Sequence, residues 1–413
     1  MAILRRRLLQ TAAAASVIPG AGARAQTAKP SAAIKLGILT DLSGPYQDTS
    51  GPTSVAATQL AVDEAMAASP GLSVEILTAD HQNKPDLALS IARQWIDRDG
   101  VDVITNCNNS AIALAISGLV HEKNKVHLNT GAATADLTGP GCNANLAHWT
   151  YDTWEIAHST GTAAVKAGGT KWFFIAADYA FGHAMETDLT RWVKQAGGSV
   201  VGTVFYPFPA TTDFSSFMLQ AKASGANVVG LLNAGGDFVN CIKQAHEFGI
   251  RPPAIRLAGT AAFINSIYAL GLETAQGLTY TECFYWDRTD RTRAFTQKLV
   301  QRTPSNYPNQ IQAGDYSATT HYLKAVHQLG VARAKASGAD TVAAMKAMPT
   351  DDDAYGPGIL RVDGRHIHPA YLLQAKAPSE SRGGWDLLRV LQTMPTDEAF
   401  RPLSEGKCAL AGI

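Results

Sequence analysis

From Ile34 onward, the hydrophobic positions follow one recurring pattern: a short apolar run, a polar or glycine-rich loop, and a stretch with helical spacing. The apolar runs predict strands at Lys35–Thr40, Val74–Ala79, Val101–Thr105, Val126–Asn129, Trp172–Ala177, Val200–Phe205, Asn227–Leu232, Ile255–Ala258 and Gly277–Cys283. The helical spacing predicts helices at Val55–Ala68, Leu87–Asp99, Phe181–Ala196, Phe214–Ser224, Phe238–Phe248 and Tyr316–Leu329. Strands that alternate with helices of this length are typical of βαβ units, so the predicted fold class is α/β with parallel sheets.

The series of strands and helices is interrupted once, between His148 and Trp154, and a second series begins at Trp172. This interruption predicts two doubly wound lobes, with the 148–154 segment as the first crossing between them. After Pro349 the pattern changes to short strands joined by Asp-Gly and Gly-Gly turns, predicted at Gly358–Val362, Ala370–Ala375 and Leu387–Val390. The tail is therefore predicted to be mostly β.

The first residues have the organisation of a secretory signal. Arg5-Arg6-Arg7 precede Leu8-Leu9 and a short run of small apolar residues, which ends at Ala23-Arg24-Ala25. A charged region, a short apolar region and an A-x-A site predict a signal peptide over residues 1–25 that is cleaved near Ala25. The arginines before Leu-Leu resemble a twin-arginine signal, although the general secretory route stays open. The apolar run is too short for a membrane anchor, and the protein is predicted to be exported.

The composition is that of a globular protein. Hydrophobic residues make up 46% and charged residues 17% of the 413 residues, which excludes a disordered chain. The 35 basic and 35 acidic residues cancel, and removal of the four arginines in residues 1–25 leaves 31 against 35, or a net charge of −4. No basic stripe follows the signal, so the sequence predicts no nucleic-acid partner. Of five cysteines, Cys241 and Cys283 lie in patterns that predict burial, and residue patterns alone leave the pairing of the others open.

Five loops are expected at the carboxyl ends of the strands, where open α/β sheets bind ligands. They are Asp41–Asp48, Asn106–Ser110, Thr130–Thr134, Asp178–Gly182 and Asn233–Asp237. Their small residues allow backbone N–H groups to approach a ligand, and the helix starts that follow favour anions. Asp237 is interpreted as an N-cap, whereas Ser110 and Thr134 can both cap a helix and hold an anion.

Aromatic residues recur at the same places. They are Tyr46, Tyr151, Tyr179, Phe181 and Tyr285. Five aromatic residues at loops that face one cleft favour a flat apolar ligand held by stacking.

Catalytic motifs are missing from the sequence. It contains no nucleophile elbow, no phosphate-binding loop and no G-x-G-x-x-G after the first strand. His366 and His368 lack a third metal ligand and are interpreted as surface histidines, and residues 351–353 are interpreted as a solvated turn. No metal, cofactor or catalytic activity is predicted. The twin-arginine signal alone favours an enzyme, because that route often carries enzymes loaded with cofactors.

Two segments together resemble a known family. Residues 38–46, ILTDLSGPY, and 131–138, GAATADLT, resemble the type I periplasmic solute-binding proteins of ABC importers, which include the leucine/isoleucine/valine-binding proteins. Residues 178–183, 233–237 and 312–316 are more similar to a subgroup that takes up aromatic acids. The resemblance extends over essentially the whole chain after the signal.

The resemblance implies two lobes joined by a three-segment hinge, with the ligand clamped between them. One lobe would hold residues 32–150 and 284–350, and the other 151–283 and 351–413. The implied carboxylate-binding residues are Asn108, Asn109, Ser110, Ala132, Ala133 and Thr134. The implied walls are Tyr46, Tyr179, Phe181 and Tyr285, with Asn233, Gly235 and Gln312 nearby. The resemblance also implies a Cys142–Cys408 disulfide, a monomer in the periplasm, and a permease in the inner membrane as partner.

The sequence departs from the amino-acid binders of this family at two places. Their glutamate that holds the α-ammonium group aligns with Gly259-Thr260-Ala261, which contains no acid, and residues 81–83 lack the first cysteine of their early disulfide. An aromatic carboxylate without an ammonium group is therefore the expected ligand. The alternatives are a branched-chain amino acid met by Asp178 or Asp237, an exported α/β enzyme, and a ligand sensor.

Overall fold

The computed structural model describes residues 33–412, so the predicted signal peptide lies outside the described residues. The strands are β1 (Ile34–Thr40), β2 (Val74–Asp80), β3 (Val103–Asn106), β4 (Val126–Asn129), β5 (Leu146–His148), β6 (Lys171–Ala177), β7 (Ser199–Tyr206), β8 (Val228–Ala234), β9 (Arg256–Ala261), β10 (Thr279–Glu282), β11 (Pro349–Thr350), β12 (Gly358–Leu360), β13 (His366–Ile367), β14 (Ala370–Ala375) and β15 (Leu388–Met394).

The α-helices are α1 (Gly51–Ala68), α2 (Pro85–Gln94), α3 (Ser110–Glu122), α4 (Thr153–Ile156), α5 (Thr162–Lys166), α6 (Ala180–Gln195), α7 (Ser215–Ala223), α8 (Gly235–Glu247), α9 (Ile264–Leu270), α10 (Leu272–Ala275), α11 (Asp290–Val300), α12 (Gln310–Leu329), α13 (Val331–Ala336), α14 (Gly338–Ala347), α15 (Thr396–Ala399) and α16 (Leu403–Gly406). Single π-helical turns are formed by Trp95–Asp99 and Ala157–Gly161, and 3₁₀ turns by Ala135–Thr138, Pro378–Glu380 and Ala409–Ala411. Within the described residues, no helix is long and apolar enough to cross a membrane.

Two parallel sheets form the framework of the molecule. The first sheet has the strand order β2-β1-β3-β4-β5, and the second has the order β7-β6-β8-β9. All strands within each of these sheets run parallel to their neighbours. The carboxyl ends of the strands therefore lie at one edge of each sheet, which is where the predicted ligand loops begin.

Helices cover both faces of each sheet, because the strands carry apolar residues on both sides. On the first sheet, Leu128 packs with Tyr322 of α12 on one face, and Ile104 packs with Ile112 of α3 on the other. On the second sheet, the cluster around Phe174 includes residues of α6, and the cluster around Ile175 includes residues of α7 and α8. The α/β fold class and the parallel strands are confirmed.

The predicted strands each overlap an observed strand, but several elements were missed. The three-residue strand β5 and helices α11, α13 and α14 were not predicted. Strand β5 is too short to produce a pattern of its own, and it joins the sheet by pairing with β4 from His127 to Asn129. The helix predicted at Leu87–Asp99 is an α-helix only to Gln94, and its last turn is π-helical.

The tail contains two small antiparallel sheets. Strand β14 lies between β10 and β15 in one, and β11, β12 and β13 form the other. A bridge between His148 and Arg365 joins the second of these to the end of β5. The predicted disulfide is present, because Cys142 is bonded to Cys408, 266 positions later. The division into two lobes at the predicted residue bounds stays a prediction.

Arg365 is the charged centre of a buried network beside the first crossing segment. Its side chain is 1% exposed, and it pairs with Asp152 at 3.1 Å and with Glu155 at 3.0 Å. Its guanidinium also lies over the ring of Phe400, 4.4 Å from the centroid. Burial alone would raise the pKa of Asp152, but the charge of Arg365 lowers it. Burial raises the pKa of Glu155 to about 8. Arg365 belongs to the tail, whereas Asp152 and Glu155 lie at the start of α4. The ion pairs therefore hold the start of α4 against the tail.

Candidate ligand-binding site

A cavity lies between the carboxyl edges of the two parallel sheets. Its lining consists of Tyr46, Thr49, Asn108, Ser110, Gly131, Ala132, Ala133, Tyr151, Tyr179, Phe181, Ala234, Ala261, Phe263 and Ile311. The first seven of these residues follow strands of the first sheet, and Tyr179, Phe181, Ala234, Ala261 and Phe263 lie at or after strand ends of the second. We refer to these two sets as the first wall and the second wall.

The first wall offers an unused hydrogen-bond donor at Asn108. The backbone N–H of Asn83 donates to Nδ1 of His81 at 3.0 Å, so that the proton of this imidazole lies on Nε2. Nε2 then donates to Oδ1 of Asn108 at 2.7 Å. Burial lowers the pKa of His81, which keeps the ring neutral. Nδ2 of Asn108 is buried without a hydrogen-bond partner, and it is available to an acceptor in the cavity.

Ser110 supplies a second donor at the start of α3. Asn109 caps this helix, because its side chain accepts the backbone N–H groups of Ala111 and Ile112. The hydroxyl oxygen of Ser110 accepts the N–H of Thr134 at 3.2 Å, which leaves its own proton free to donate. The first wall therefore combines Asn108, Ser110 and the amino end of a 13-residue helix, an arrangement that favours an anion.

Gly131 allows the two loops of the first wall to touch. A Cβ atom at this position would lie 2.5 Å from Cβ and 2.6 Å from Cα of Asn108. The loop continues through Ala132 and Ala133 to Thr134, whose hydroxyl accepts the N–H of Asp136 and caps a 3₁₀ turn. Thr134 therefore acts as a cap, as predicted. The element that it caps is a short 3₁₀ turn, however, and not an α-helix whose amino end could bind an anion.

Aromatic rings from both walls meet across the cavity. The hydroxyl groups of Tyr46 and Tyr179 lie 2.7 Å apart, and the ring of Phe208 stacks on both, at centroid distances of 5.4 and 4.7 Å. Tyr151 donates its hydroxyl to the carbonyl of Gly131 at 3.1 Å. Burial raises the pKa values of Tyr46, Tyr151 and Tyr179, so all three hydroxyls are neutral at physiological pH.

The two walls are in contact. The N–H of Gly236 donates to the carbonyl of Pro45 at 2.9 Å, and Gly235 beside it has a φ of +58°. The free space inside the cavity is about 20 Å³, which is little more than one water molecule needs. A ligand with an aromatic ring can therefore enter only when the walls move apart, and lining side chains have to shift to hold it when the walls close again.

Eight of the predicted site residues line the cavity: Tyr46, Asn108, Ser110, Ala132, Ala133, Tyr151, Tyr179 and Phe181. The lining does not include Asn109, Thr134, Asn233, Gly235, Tyr285 or Gln312. Asn109 and Thr134 are the two caps described above, and Gly235 lies at the contact with Pro45. Whether the lining residues bind a ligand stays a prediction.

The side chains of the other three predicted residues are used elsewhere. Tyr285 donates to the backbone carbonyl of Leu388 at 3.1 Å and is buried in the core of the second sheet. Gln312 and Asn309 form a reciprocal capping box at the start of α12. The amide of Asn233 lies 3.2 Å from Sγ of Cys241.

Six lining residues were not predicted as site residues, although Gly131 and Ala234 lie in two of the predicted ligand loops. They are Thr49, Gly131, Ala234, Ala261, Phe263 and Ile311. Phe263 comes two residues after β9, so the rule that aromatic residues at strand ends face the cleft would have found it. Ile311 lies in the first turn of α12, for which the sequence gives no comparable signal.

Asp178 and Asp237, the two acids that could meet the ammonium group of a branched-chain amino acid, do not line the cavity. Asp178 pairs with His183 at 2.9 Å, and its side chain is 55% exposed. Asp237 accepts the hydroxyl of Tyr206 at 2.8 Å. The interpretation of Asp237 as an N-cap was wrong, since it lies in the first turn of α8, which follows Ala234.

Burial raises the pKa of Asp237 to about 6. Ionisation of this carboxyl therefore lowers the free energy of unfolding as the pH rises from 4 through 6. We expect Asp237→Asn to remove this loss of stability, because the amide oxygen can still accept the hydroxyl of Tyr206. Relative to the parent protein, the variant should gain up to about 3 kcal/mol between pH 4 and pH 8 in urea unfolding. Glu247→Gln, an exposed change on the same helix, should show no such gain. A difference for Asp237→Asn that does not vary with pH would contradict the assignment.

The remaining polar motifs are structural. His366 and His368 are buried rather than on the surface, because the ring of His366 stacks on Trp149 at 4.0 Å. Burial lowers the pKa of His368 to about 3. Asp352 is also buried and accepts the hydroxyl of Ser317 at 2.6 Å, so residues 351–353 are not a fully solvated turn. In the described part of the chain, no group of three or more His, Cys, Asp or Glu residues could hold a metal ion.

Comparison with known proteins shows which family this chain matches. A model of the periplasmic binding protein family matches residues 33–383. A curated relative, Leu/Ile/Val-binding protein homolog 8 of Brucella abortus, is 27% identical over 349 residues, which cover 79% of this chain and 83% of the relative.

Three solved structures share the fold. A periplasmic binding protein from Burkholderia mallei has a TM-score of 0.87 at 44% identity, covering 92% of this chain and 99% of that protein. A branched-chain amino-acid ABC transporter ligand-binding protein from Burkholderia xenovorans has a TM-score of 0.79 at 39% identity, with coverages of 91% and 99%. A solute-binding protein from R. palustris in complex with benzoate has a TM-score of 0.77 at 21% identity, with coverages of 88% and 96%.

Proposed function

We propose an aromatic carboxylate without an α-ammonium group as the ligand of this chain, which belongs to the periplasmic binding protein family, type I, of the leucine/isoleucine/valine-binding kind. The protein is a periplasmic solute-binding protein of the ABC type, and members of this family are ligand-binding components of transporters rather than enzymes. We infer that the chain acts as a monomer, captures the acid in its cleft and delivers it to an inner-membrane permease.

The observation that carries the proposal is that none of the described residues lining the cavity carries a carboxylate. A buried ammonium group without a charged partner costs several kcal/mol. The position that aligns with the glutamate of the amino-acid binders is at or beside Ala261, and Ala261 lines the cavity with its methyl group. A ligand that carries no ammonium group avoids this cost.

Two further observations support the same ligand class. The first wall has a free amide donor on Asn108 and a free hydroxyl proton on Ser110, which match the two oxygens of a carboxylate. The rings of Tyr46, Tyr151 and Phe263 offer apolar surfaces for an aromatic ring. The R. palustris neighbour is in complex with benzoate, which is itself an aromatic carboxylate without an ammonium group. At 21% identity, the likeness between the two proteins concerns the fold alone.

The proposal predicts the outcome of a titration panel. In isothermal titration calorimetry, phenylpyruvate, 4-hydroxybenzoate and coumarate should be tested beside leucine and valine. At least one aromatic acid should bind, and binding should raise the melting temperature with the logarithm of ligand concentration. Tight leucine binding with no response to any aromatic acid would favour the branched-chain alternative, which the names of several relatives support.

A matched pair of variants separates the carboxylate site from general charge effects. Asn108→Asp removes the free N–H donor and places a negative charge in the first wall, so the affinity for the acid should fall about 100-fold or more. Asn124→Asp adds the same charge in the loop between α3 and β4, at the opposite end of the first sheet. This control should bind the acid as the parent protein does. An unchanged affinity in Asn108→Asp would contradict the proposed orientation of the carboxylate.

A further inference from the structure

A row of buried hydrogen bonds runs along the carboxyl edge of the first sheet, behind the anion side of the cavity. Oγ1 of Thr40 lies 3.1 Å from Oγ of Ser50, which donates to Oδ1 of Asn106 at 2.8 Å. Nδ2 of Asn106 donates to Oδ2 of Asp315 at 2.9 Å. The other carboxyl oxygen of Asp315 accepts the hydroxyl of Thr130. All five side chains are fully buried, so each bond is shielded from water.

Asp315 is the member of this row that joins the two loops of the first wall. It belongs to α12 and to neither strand, yet it contacts Asn106, the last residue of β3, and Thr130, the residue after β4. The loop after Asn106 carries the donors Asn108 and Ser110. The loop after Thr130 carries the residues 131–134 that pack against them. One carboxyl group thus accepts a hydrogen bond from the base of each loop.

The backbone after β3 shows that this region depends on such support. Asn106 and Cys107 have φ values of 76° and 54°, in the left-handed region that residues other than glycine seldom adopt. Conformations of this kind persist only where the surroundings hold them. The side chain of Asn106 is held by Ser50, Ser54 and Asp315, and its position determines where Asn108 lies two residues later.

We propose that Asp315 is a positioning residue for carboxylate binding, which sets the spacing between the two loops that form the anion side of the cavity. The inference rests on the proposed function, because it assigns a role to Asp315 at the same site. Without this carboxyl group, the buried amide of Asn106 and the buried hydroxyl of Thr130 lose a shared acceptor. The loops then lose one of the contacts that hold them together, and the donors of Asn108 and Ser110 converge less closely on one ligand group.

The first test needs no ligand. Hydrogen exchange measured by mass spectrometry should be at least about tenfold faster in Asp315→Ala than in the parent protein, in peptides over residues 106–112 and 130–135. Asp315→Asn should exchange as the parent does, because an amide can accept from Asn106 and donate to the hydroxyl oxygen of Thr130.

The control is Asp102→Ala, at the opposite end of the first sheet. Asp102 is also buried, accepts the backbone N–H of Lys35 at 3.0 Å and pairs with Lys335. Its loss should lower stability without changing exchange in either loop. The proposal is wrong if Asp315→Ala leaves both loops unchanged, or if Asp102→Ala accelerates them equally.

The second test measures affinity for an aromatic acid and for its uncharged amide at pH 8. Asp315→Ala should bind the acid about tenfold more weakly, and Asp315→Asn should restore the affinity to within about threefold. Equal losses for the acid and the amide would show a merely structural role and overturn the proposal.

A second variant and the exchange measurement cover the cases in which Asp315→Ala does not fold or no aromatic acid binds. If Asp315→Ala does not fold, Thr130→Val removes one of the two donors with little change in shape, and it should lower the affinity for the acid about threefold. If the parent protein binds no aromatic acid, the proposed function fails. The exchange measurement then still decides whether Asp315 holds the two loops.

Discussion

Replacing Gly235 by alanine is expected to lower the affinity for any ligand of the cleft by up to about 100-fold. A Cβ atom at Gly235 would lie 2.2 Å from the backbone carbonyl oxygen of Pro45, and φ at this position is +58°. Because the obstacle is backbone on the opposite wall, no side-chain rotation relieves it. The walls would meet about an ångström too far apart, and the ligand would lose contact with one of them.

The neighbouring glycine provides the control. A Cβ atom at Gly236 would lie 3.6 Å from the same carbonyl oxygen, which is an ordinary contact. Gly236→Ala should therefore retain most of the affinity. Calorimetry gives the affinities, and small-angle scattering should show that ligand reduces the radius of gyration of Gly236→Ala but not of Gly235→Ala. Equal affinities in the two variants would mean that the contact with Pro45 plays no part in binding.

Removal of the Cys142–Cys408 disulfide is expected to cost about 5 kcal/mol of unfolding free energy. The bond closes a loop with a sequence separation of 266 residues, and the model of chain entropy gives large effects for loops of this length. The double variant Cys142→Ser/Cys408→Ser should unfold at a lower denaturant concentration than the oxidised parent. The parent unfolded in the presence of dithiothreitol should match the variant.

Counting thiols tests the pairing directly. The denatured, unreduced protein should expose three free thiols, from Cys107, Cys241 and Cys283. Cys241→Ala removes a buried free thiol and should cost far less than the double variant, because it opens no loop. Labelling of Cys142 or Cys408 without reduction would contradict the pairing, as would equal stability of the parent and the double variant.

The fold was predictable because strands buried on both faces carry continuous apolar runs. The run Trp172-Phe173-Phe174-Ile175 is such a case, and it forms the centre of the second sheet. The rule that ligands lie at the carboxyl ends of parallel strands located Tyr46, Ser110 and Tyr179 in the lining. Local pattern was sufficient here because parallel strands bring these loops to a shared edge.

The same rule failed where the strand was not parallel to its neighbour. Tyr285 follows β10, but β10 pairs with β14 in an antiparallel sheet, so the end of this strand does not face the cleft. The predictions for Gln312 and His366 were wrong for a different reason. The amide of Gln312 caps its own helix, and His366 is buried by stacking on Trp149, and neither contact leaves a trace in the spacing of nearby residues. Phe208, which stacks on Tyr46 and Tyr179, was also missed, although it comes two residues after β7 and the rule for aromatic residues at strand ends would have found it.

The core of the first sheet determines when the molecule can fold during its synthesis. Its inner cluster combines Ile38 of β1 and Leu128 of β4 with Tyr322 and Met345, which come much later in the chain. At roughly 5–20 residues per second, a ribosome adds Tyr322 about 10–40 s after Leu128. During this interval α1 can cover part of this face through Val62, but the residues of α12 and α14 are still missing from it. The core of the first sheet therefore cannot be completed until α12 and α14 have been made, late in the synthesis of the chain.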